Sequence, residues 1–97
     1  MTIAAILEIT ARPGRRDDAL GALIPALTAT RAHRGNLGVD VLLDDDPDRF
    51  LLVERWASAA DNEAYQAWRQ TPEGAIAGLG EVLAGPPTMR VYPVADS

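Results

Sequence analysis

Glu54 and Trp56 stand two residues apart in the run Phe50-Leu51-Leu52-Val53-Glu54-Arg55-Trp56. In an extended strand that spacing puts both on one side, together with Phe50 and Leu52. A carboxylate in such apolar company resists ionisation, so Glu54 is a candidate base able to take a proton from a bound hydroxyl. Its structural alternative is an ion pair with Arg90 or Arg12. Trp56 can stack on a flat aromatic ligand while its indole N–H donates, or it can fill the core. Tyr65 and Trp68 lie three apart in a helical stretch and can flank the same space, the Tyr65 phenol donating to a developing oxyanion, or they too can simply pack. His33 reads as a solvated residue stabilised by a helix dipole, with a proton shuttle as the alternative.

Composition removes most other chemistries. The 97 residues include no cysteine, one histidine and nine basic residues, all of them arginine. Without lysine there is no Schiff-base nucleophile and no Walker-type phosphate loop. Without cysteine and with one histidine, no zinc finger, iron–sulfur cluster, thiol nucleophile or His-rich metal site can be assembled within one chain, so no such metal or cofactor is expected, and haem ligation would rest on His33 alone or on tyrosine. Fourteen acidic residues against nine basic ones give a net charge of −5, and the arginines are scattered, which argues against a nucleic-acid partner. The acidic run Asp44-Asp45-Asp46-Pro47-Asp48 lacks the alternating spacing, glycine and distal Glu of a calcium loop and reads as a hairpin turn. No apolar run approaches the roughly 18 residues of a membrane helix, and Glu8 interrupts the first apolar stretch, so no membrane partner or export is expected and the expected address is cytoplasmic.

These candidate groups need a scaffold, and the length permits one core, a single domain over residues 1–97 that buries roughly two thirds of its unfolded surface. Residues 3 to 11 alternate as a strand and stop at Pro13-Gly14. Asp17 and Asp18 suit a helix N-terminus, and Leu20, Leu23, Ile24 and Leu27 follow at one-face helical spacing. Pro25 inside that pattern predicts a kink near Gly21 or a break. Arg34-Gly35-Asn36 ends the helix. Leu37, Val39, Val41 and Leu43 then share one side of a second strand. Phe50 to Trp56, apolar on both parities, should be covered on both faces.

Ser58-x-x-Asp61 is an Asp-form capping box opening a helix that runs to Gln70. Thr71-Pro72 predicts a further helix carrying Ile76, Leu79 and Leu83, weakened by Gly74, Gly78 and Gly80. Met89 to Val94 supplies the last strand. The order is that of a ferredoxin-like split βαβ arrangement, an α+β fold with a four-stranded antiparallel sheet and helices on one face. Apolar side chains on the other face call for a second copy packed sheet to sheet, a homodimer.

Arg12-Pro13-Gly14, Thr30-Arg31 with Gly35, Glu54-x-Trp56, Ala64-Tyr65-x-Ala67, Thr71-Pro72 and Gly85-Pro86-Pro87 with Tyr92 together resemble the antibiotic biosynthesis monooxygenase family of small dimeric α/β-barrel proteins. The resemblance implies oxygenation of a small phenol, quinol or anthrone by dioxygen without metal or flavin, since such a substrate, once deprotonated, can itself pass an electron to dioxygen. The protein would bind, desolvate and deprotonate it. Trp56, Tyr65 and Glu54 are then the expected catalytic residues, with Leu52, Trp68 and Phe50 as substrate contacts in a pocket between sheet and helices.

Several departures qualify the resemblance. The anthrone-oxidising branch implies an Asn four residues before the tryptophan and an Arg six residues after the helix-opening proline, where this chain has Leu52 and Gly78. The Ala-His pair of many relatives is replaced by Ala67-Trp68, and Glu73-Gly74-Ala75-Ile76 lacks the histidine of haem-degrading relatives. A non-catalytic ligand-binding dimer and a cofactor-free isomerase or cyclase remain the alternatives.

Overall fold

The computed structural model describes residues 1–97. Strand β1 (Ile3–Thr10) is followed by α1 (Arg16–Ala32), β2 (Asn36–Leu43), β3 (Arg49–Trp56), α2 (Ala59–Arg69), the single-turn α3 (Leu79–Val82) and β4 (Thr88–Pro93). The strands form one sheet in the order β2-β3-β1-β4, and every neighbouring pair is antiparallel. This is the ferredoxin-like arrangement expected from the order of elements.

Register sets which side chains face the helices. Ile3, Ala5, Leu7 and Ile9 of β1 pair with Trp56, Glu54, Leu52 and Phe50 of β3, so these eight share the helix-facing side. Their burial follows the alternation: Ile3, Ala5, Ile9, Phe50, Leu52, Glu54 and Trp56 are buried, while Val53 and Leu51 on the opposite face are only half-buried. The core has two clusters. One gathers Ile9, Leu23, Leu27, Phe50, Leu52 and Val82 under α1 and α3, the other holds Ile3, Ala5, Trp56 and Tyr65 under α2, and Leu7 packs against both.

The break allowed for in α1 and two further expectations are corrected. Helix α1 runs as one element from Arg16 to Ala32 with Pro25 inside it. Pro25 and Gly21 are both exposed, so water can satisfy the Gly21 carbonyl that loses its donor. The predicted helix from Thr71 is a turn-rich loop reaching Gly78, which sits at φ 80° and caps only the one turn of α3. Glycine supplies that conformation and removes helix propensity. Leu37 does not join Val39 on the inward side. The pairing slips between Asn36 and Gly38, which leaves Leu37 at 58% exposure.

Ser58 caps α2 as its sequence implies, its Oγ accepting from the Asp61 backbone N–H at 3.1 Å and donating to the Asp61 carboxylate at 2.9 Å. The end of α3 is tied to the sheet by Arg12 N–H to Val82 O at 2.8 Å and Ala84 N–H to Thr10 O at 2.9 Å. These bonds fix α3 and the loop before it beside β1.

Candidate functional site

A cavity of about 290 Å³ lies between the sheet, α1, α2 and the loop leading into α3. Its apolar wall includes Leu7, Leu23, Leu27, Leu52 and Ile76, and its charged residues are Glu54 and Arg69 alone, with Tyr65 and Gln66 beside them. The volume is at the small end for small-molecule sites, and an apolar enclosure with a few convergent polar groups is the form such sites take.

Glu54 is 2% exposed and carries no ion pair. Trp56 Nε1 donates to its Oε1 at 3.4 Å, and Gln66 Nε2 donates to the same oxygen at 3.2 Å. Gln66 is held in turn, its amide also donating to Asn62 Oδ1 at 3.1 Å. Oε2 has no protein donor. Burial raises the Glu54 proton affinity above that of an ordinary carboxylate, and the bonds from Trp56 and Gln66 and the charge of Arg69 offset this only in part.

The ion pair proposed as the alternative for Glu54 is absent. Arg90 pairs with Ile6 on the opposite face of the sheet, and Arg12 is exposed in the turn after β1.

Arg69, at the last turn of α2, joins three elements. Its Nε donates to the Tyr65 hydroxyl at 2.6 Å, Nη1 to Gly74 O at 3.1 Å, and Nη2 to Ala26 O at 2.9 Å and Thr30 Oγ1 at 3.0 Å. The Tyr65 hydroxyl also shares a 2.6 Å hydrogen bond with the buried Thr30 hydroxyl. The phenol is thus engaged with its neighbours and orients the guanidinium. One Nη1–H remains without a protein acceptor.

Glu54, Leu52 and Tyr65 line the cavity, as their strand and helix positions imply, whereas Trp56, Phe50 and Trp68 do not. Trp56 and Phe50 are both 0% exposed, packed into the two core clusters. Strand parity gives the face but not the depth. Trp56 lies at 4.8 Å from the Tyr65 ring and reaches the site through its bond to Glu54. Trp68 covers Arg69, whose guanidinium carbon is 4.8 Å from the indole centroid. His33 is half-buried rather than solvated, because the end of α1 rests on this aromatic group, with its ring 5.2 Å from Tyr65 and 6.0 Å from Trp56.

Gln66 and Arg69 are the cavity residues that sequence reading missed. The signal was present: Asn62, Tyr65, Gln66 and Arg69 recur at helical spacing, so the face of α2 turned to the sheet is polar rather than apolar.

Residues 2–75 match the model of the antibiotic biosynthesis monooxygenase (ABM) family. The chain belongs to this family. Among solved structures, Rv0793 from Mycobacterium tuberculosis is 26% identical with a TM-score of 0.80, the match covering 100% of this chain and 98% of the other. A Nitrosomonas europaea protein whose name carries the ABM designation is 20% identical at a TM-score of 0.82, over 97% and 90% of the two chains. One from Bordetella bronchiseptica, named likewise, is 25% identical at 0.75, over 96% of each. No protein of curated function matches the chain.

Within the ABM frame, Leu52 contributes apolar wall and Gly78 lies outside the cavity lining. The guanidinium in this cavity comes instead from Arg69 on α2. No three His, Cys, Asp or Glu side chains converge as a metal cluster, and no helix is long and apolar enough to cross a membrane.

Proposed function

We propose that this ABM protein is a cofactor-independent monooxygenase that oxidises a small phenol, quinol or anthrone with dioxygen. The observation that carries the reading is Glu54, a buried carboxyl of raised proton affinity at the wall of a mostly apolar cavity whose other charged residue is Arg69. Deprotonating a phenol in a largely apolar cleft gives an electron-rich anion able to reduce dioxygen by one electron, and the resulting pair recombines into an oxygenated product. Glu54 is the proposed base. Leu52 and the other apolar side chains exclude water, Tyr65 and Thr30 hold Arg69, and Trp56 and Gln66 hold Glu54.

The same base could move a proton on a ligand without consuming dioxygen, as an isomerase or cyclase does, and Oε2 of Glu54, free of protein donors, suits that use equally. Dioxygen uptake by metal-free protein against a panel of anthrones, hydroquinones and catechols separates the two, with Glu54→Gln as the control. Uptake that depends on Glu54 supports oxygenation. Turnover of a panel member with no uptake would move the protein to proton-transfer chemistry, and binding with no turnover to a ligand-binding role.

We also propose that the working form is a homodimer, paired through the sheet face opposite the helices. Ile6, Leu51 and Val53 are half-buried there, and Leu42 and Tyr92 are each 46% exposed. Contiguous apolar surface of this kind is normally covered.

A further inference from the structure

The two walls of the cavity are built differently. Leu23 and Leu27 of α1 and Leu52 of β3 form a floor that is only 1–3% exposed. The facing wall comes from the stretch between α2 and α3, where Gly74, Ala75, Ile76, Leu79 and Gly80 line the same space. No hydrogen bond joins residues 71–78 directly to the sheet or to α1. Gly74 N–H and Ala75 N–H donate to Thr71 O, Thr71 donates to Trp68 O, and Leu79 N–H donates to Ile76 O at 3.3 Å. With Gly78 at φ 80° and ψ −11°, that last bond closes a type II turn over Ile76–Leu79. Ile76 and Leu79, the first and last residues of the turn, are half-buried and pack on the cluster that holds Leu23 and Leu27.

We propose that the Ile76–Leu79 turn is a flap over the cavity, hinged at Gly74 and Gly80 and latched by Arg69. Both ends of the stretch are held. Gly74 packs on the backbone carbonyl of Trp68, and α3 is tied to β1 from Val82 onward. Between them the turn rests on apolar contact, and a Cβ built on Gly78 or Gly80 meets no atom within 4 Å, so there is open space to move into. The latch is the Gly74–Ala75 peptide: its carbonyl accepts from Arg69 Nη1 at 3.1 Å and its N–H donates to Thr71 O at 3.0 Å. Through Nη2 the same guanidinium holds Ala26 O and Thr30 Oγ1, so Arg69 draws the hinge towards α1.

Rotation of that peptide releases both bonds at once and lets the turn rock outward, carrying Ile76 and Leu79 off the floor. Neither the sheet nor α1 gives up a hydrogen bond in the motion. A segment with so few buried contacts and backbone bonds opens at lower free energy than the core beneath it. The role of the flap, to admit a ligand and then cover it, rests on the reading of this cavity as the ligand site. Arg69 is the positioning residue of the closed state.

The test exploits a chain without cysteine, in which one introduced thiol is the only one. Leu23→Cys puts it on the cavity floor, and Ala19→Cys puts it on the same helix at a 0% exposed position outside the cavity lining. Each full-length protein is treated with N-ethylmaleimide in the absence of any ligand, and alkylation is followed by mass spectrometry. Leu23→Cys should react at least about tenfold faster than Ala19→Cys and be indifferent to low urea, because a local opening exposes little surface. Ala19→Cys should wait for global unfolding and accelerate steeply with urea. Adding Arg69→Gln should raise the Leu23→Cys rate about tenfold, the loss of one charge-assisted hydrogen bond, with the indifference to urea retained. Adding Gly80→Ala, which stiffens a hinge and meets no neighbour, should slow it roughly two- to fivefold and decides the matter if Arg69→Gln does not fold. Labelling of Leu23→Cys as urea-dependent as that of Ala19→Cys, labelling as fast as at the exposed Ala77→Cys, or a rate unmoved by both added substitutions would each overturn the inference. Dioxygen uptake is a separate readout: a working flap without uptake on any panel substrate keeps the inference and removes the oxygenase reading, and uptake alongside a permanently reactive floor thiol does the reverse.

Discussion

Trp56 Nε1 and Glu54 Oε1 are 3.4 Å apart, a long hydrogen bond between two buried residues on the same side of β3. Gln66 donates to that same oxygen, so the carboxyl is held from one side and its second oxygen is left for whatever enters the cavity. On the proposed function the tryptophan acts through the acid it orients.

Replacing Trp56 by Phe keeps most of the packing and deletes the donor. The bond from Trp56 opposes the effect of burial on Glu54, so removing it raises the Glu54 proton affinity further. The acid limb of the activity profile should move to higher pH in Trp56→Phe. An unmoved limb would separate Trp56 from the ionisation of Glu54. Trp56→Ala is the poorer control, because emptying a fully buried tryptophan site costs about 3–5 kcal/mol.

Glu54→Gln should make the protein less active and more stable at neutral pH. The sign follows from linkage: a carboxyl whose proton affinity is higher folded than unfolded stabilises the fold fully when protonated in both states. That contribution falls as pH rises above the usual carboxylate range and is lost once pH has passed the folded value. Each tenfold rise in proton affinity corresponds to about 1.4 kcal/mol. Urea midpoints for the two proteins should diverge from about pH 5 upward and converge in acid. A constant gap across that range would show that ionisation of Glu54 is not the cause.

Thr30→Val preserves shape and removes a hydroxyl that is 0% exposed. Arg69 Nη2 loses one acceptor, and the Tyr65 hydroxyl loses its neighbour at 2.6 Å. The expected cost is about 1–3 kcal/mol, read from thermal or chemical unfolding, with weaker ligand binding as the guanidinium loosens. A change below about 0.5 kcal/mol would mean that water replaces the threonine.

Gly74 and Gly78 should respond differently to alanine. A Cβ on Gly74 meets the backbone carbonyl of Trp68, which cannot swing aside, and the Gly74 carbonyl accepts from Arg69. Gly74→Ala should displace the loop, cost about 1–3 kcal/mol and weaken ligand binding. A Cβ on Gly78 meets nothing, leaving only the strain of its positive φ, about 1–2 kcal/mol, with the cavity intact. Equal ligand affinities in the two variants would contradict this division.

A charge placed on the open sheet face, as in Leu51→Asp, should convert a dimer to a monomer without touching the cavity. Light scattering reports the mass, and a monomeric wild type at micromolar concentration would remove the dimer proposal outright.

The sheet was legible because residues 3 to 11 alternate and Phe50 to Trp56 form a short apolar run after a turn, and α2 because Ser58 and Asp61 state where it begins. The carboxyl at position 54 stood out for the same reason, a charge on the buried parity of an apolar strand. What escaped reading depends on distances along the third dimension. Phe50 and Leu52 share a face, yet only Leu52 reaches the cavity, since α1 and α3 press on the other end of the strand. Leu37 followed the alternation on paper until one extra residue at the bulge turned it outward. The predicted helix after Thr71 failed because three glycines removed the local preference that Ile76 and Leu79 alone could not restore. Arg69 drew no reading from the sequence, although its four-residue offset from Tyr65 put it on the inward stripe.

β4 pairs only with β1, and all its residues from Thr88 to Pro93 are exposed, in contrast to the well-buried β3 on the other side of the same strand. Little besides its ladder hydrogen bonds holds it in this chain. Amide protons along the β1–β4 ladder should therefore exchange with deuterium ahead of those between β1 and β3. On that slow timescale the sheet should behave as a three-stranded unit with a fourth strand that detaches and returns, and anything that covers β4 should register first as slower exchange there.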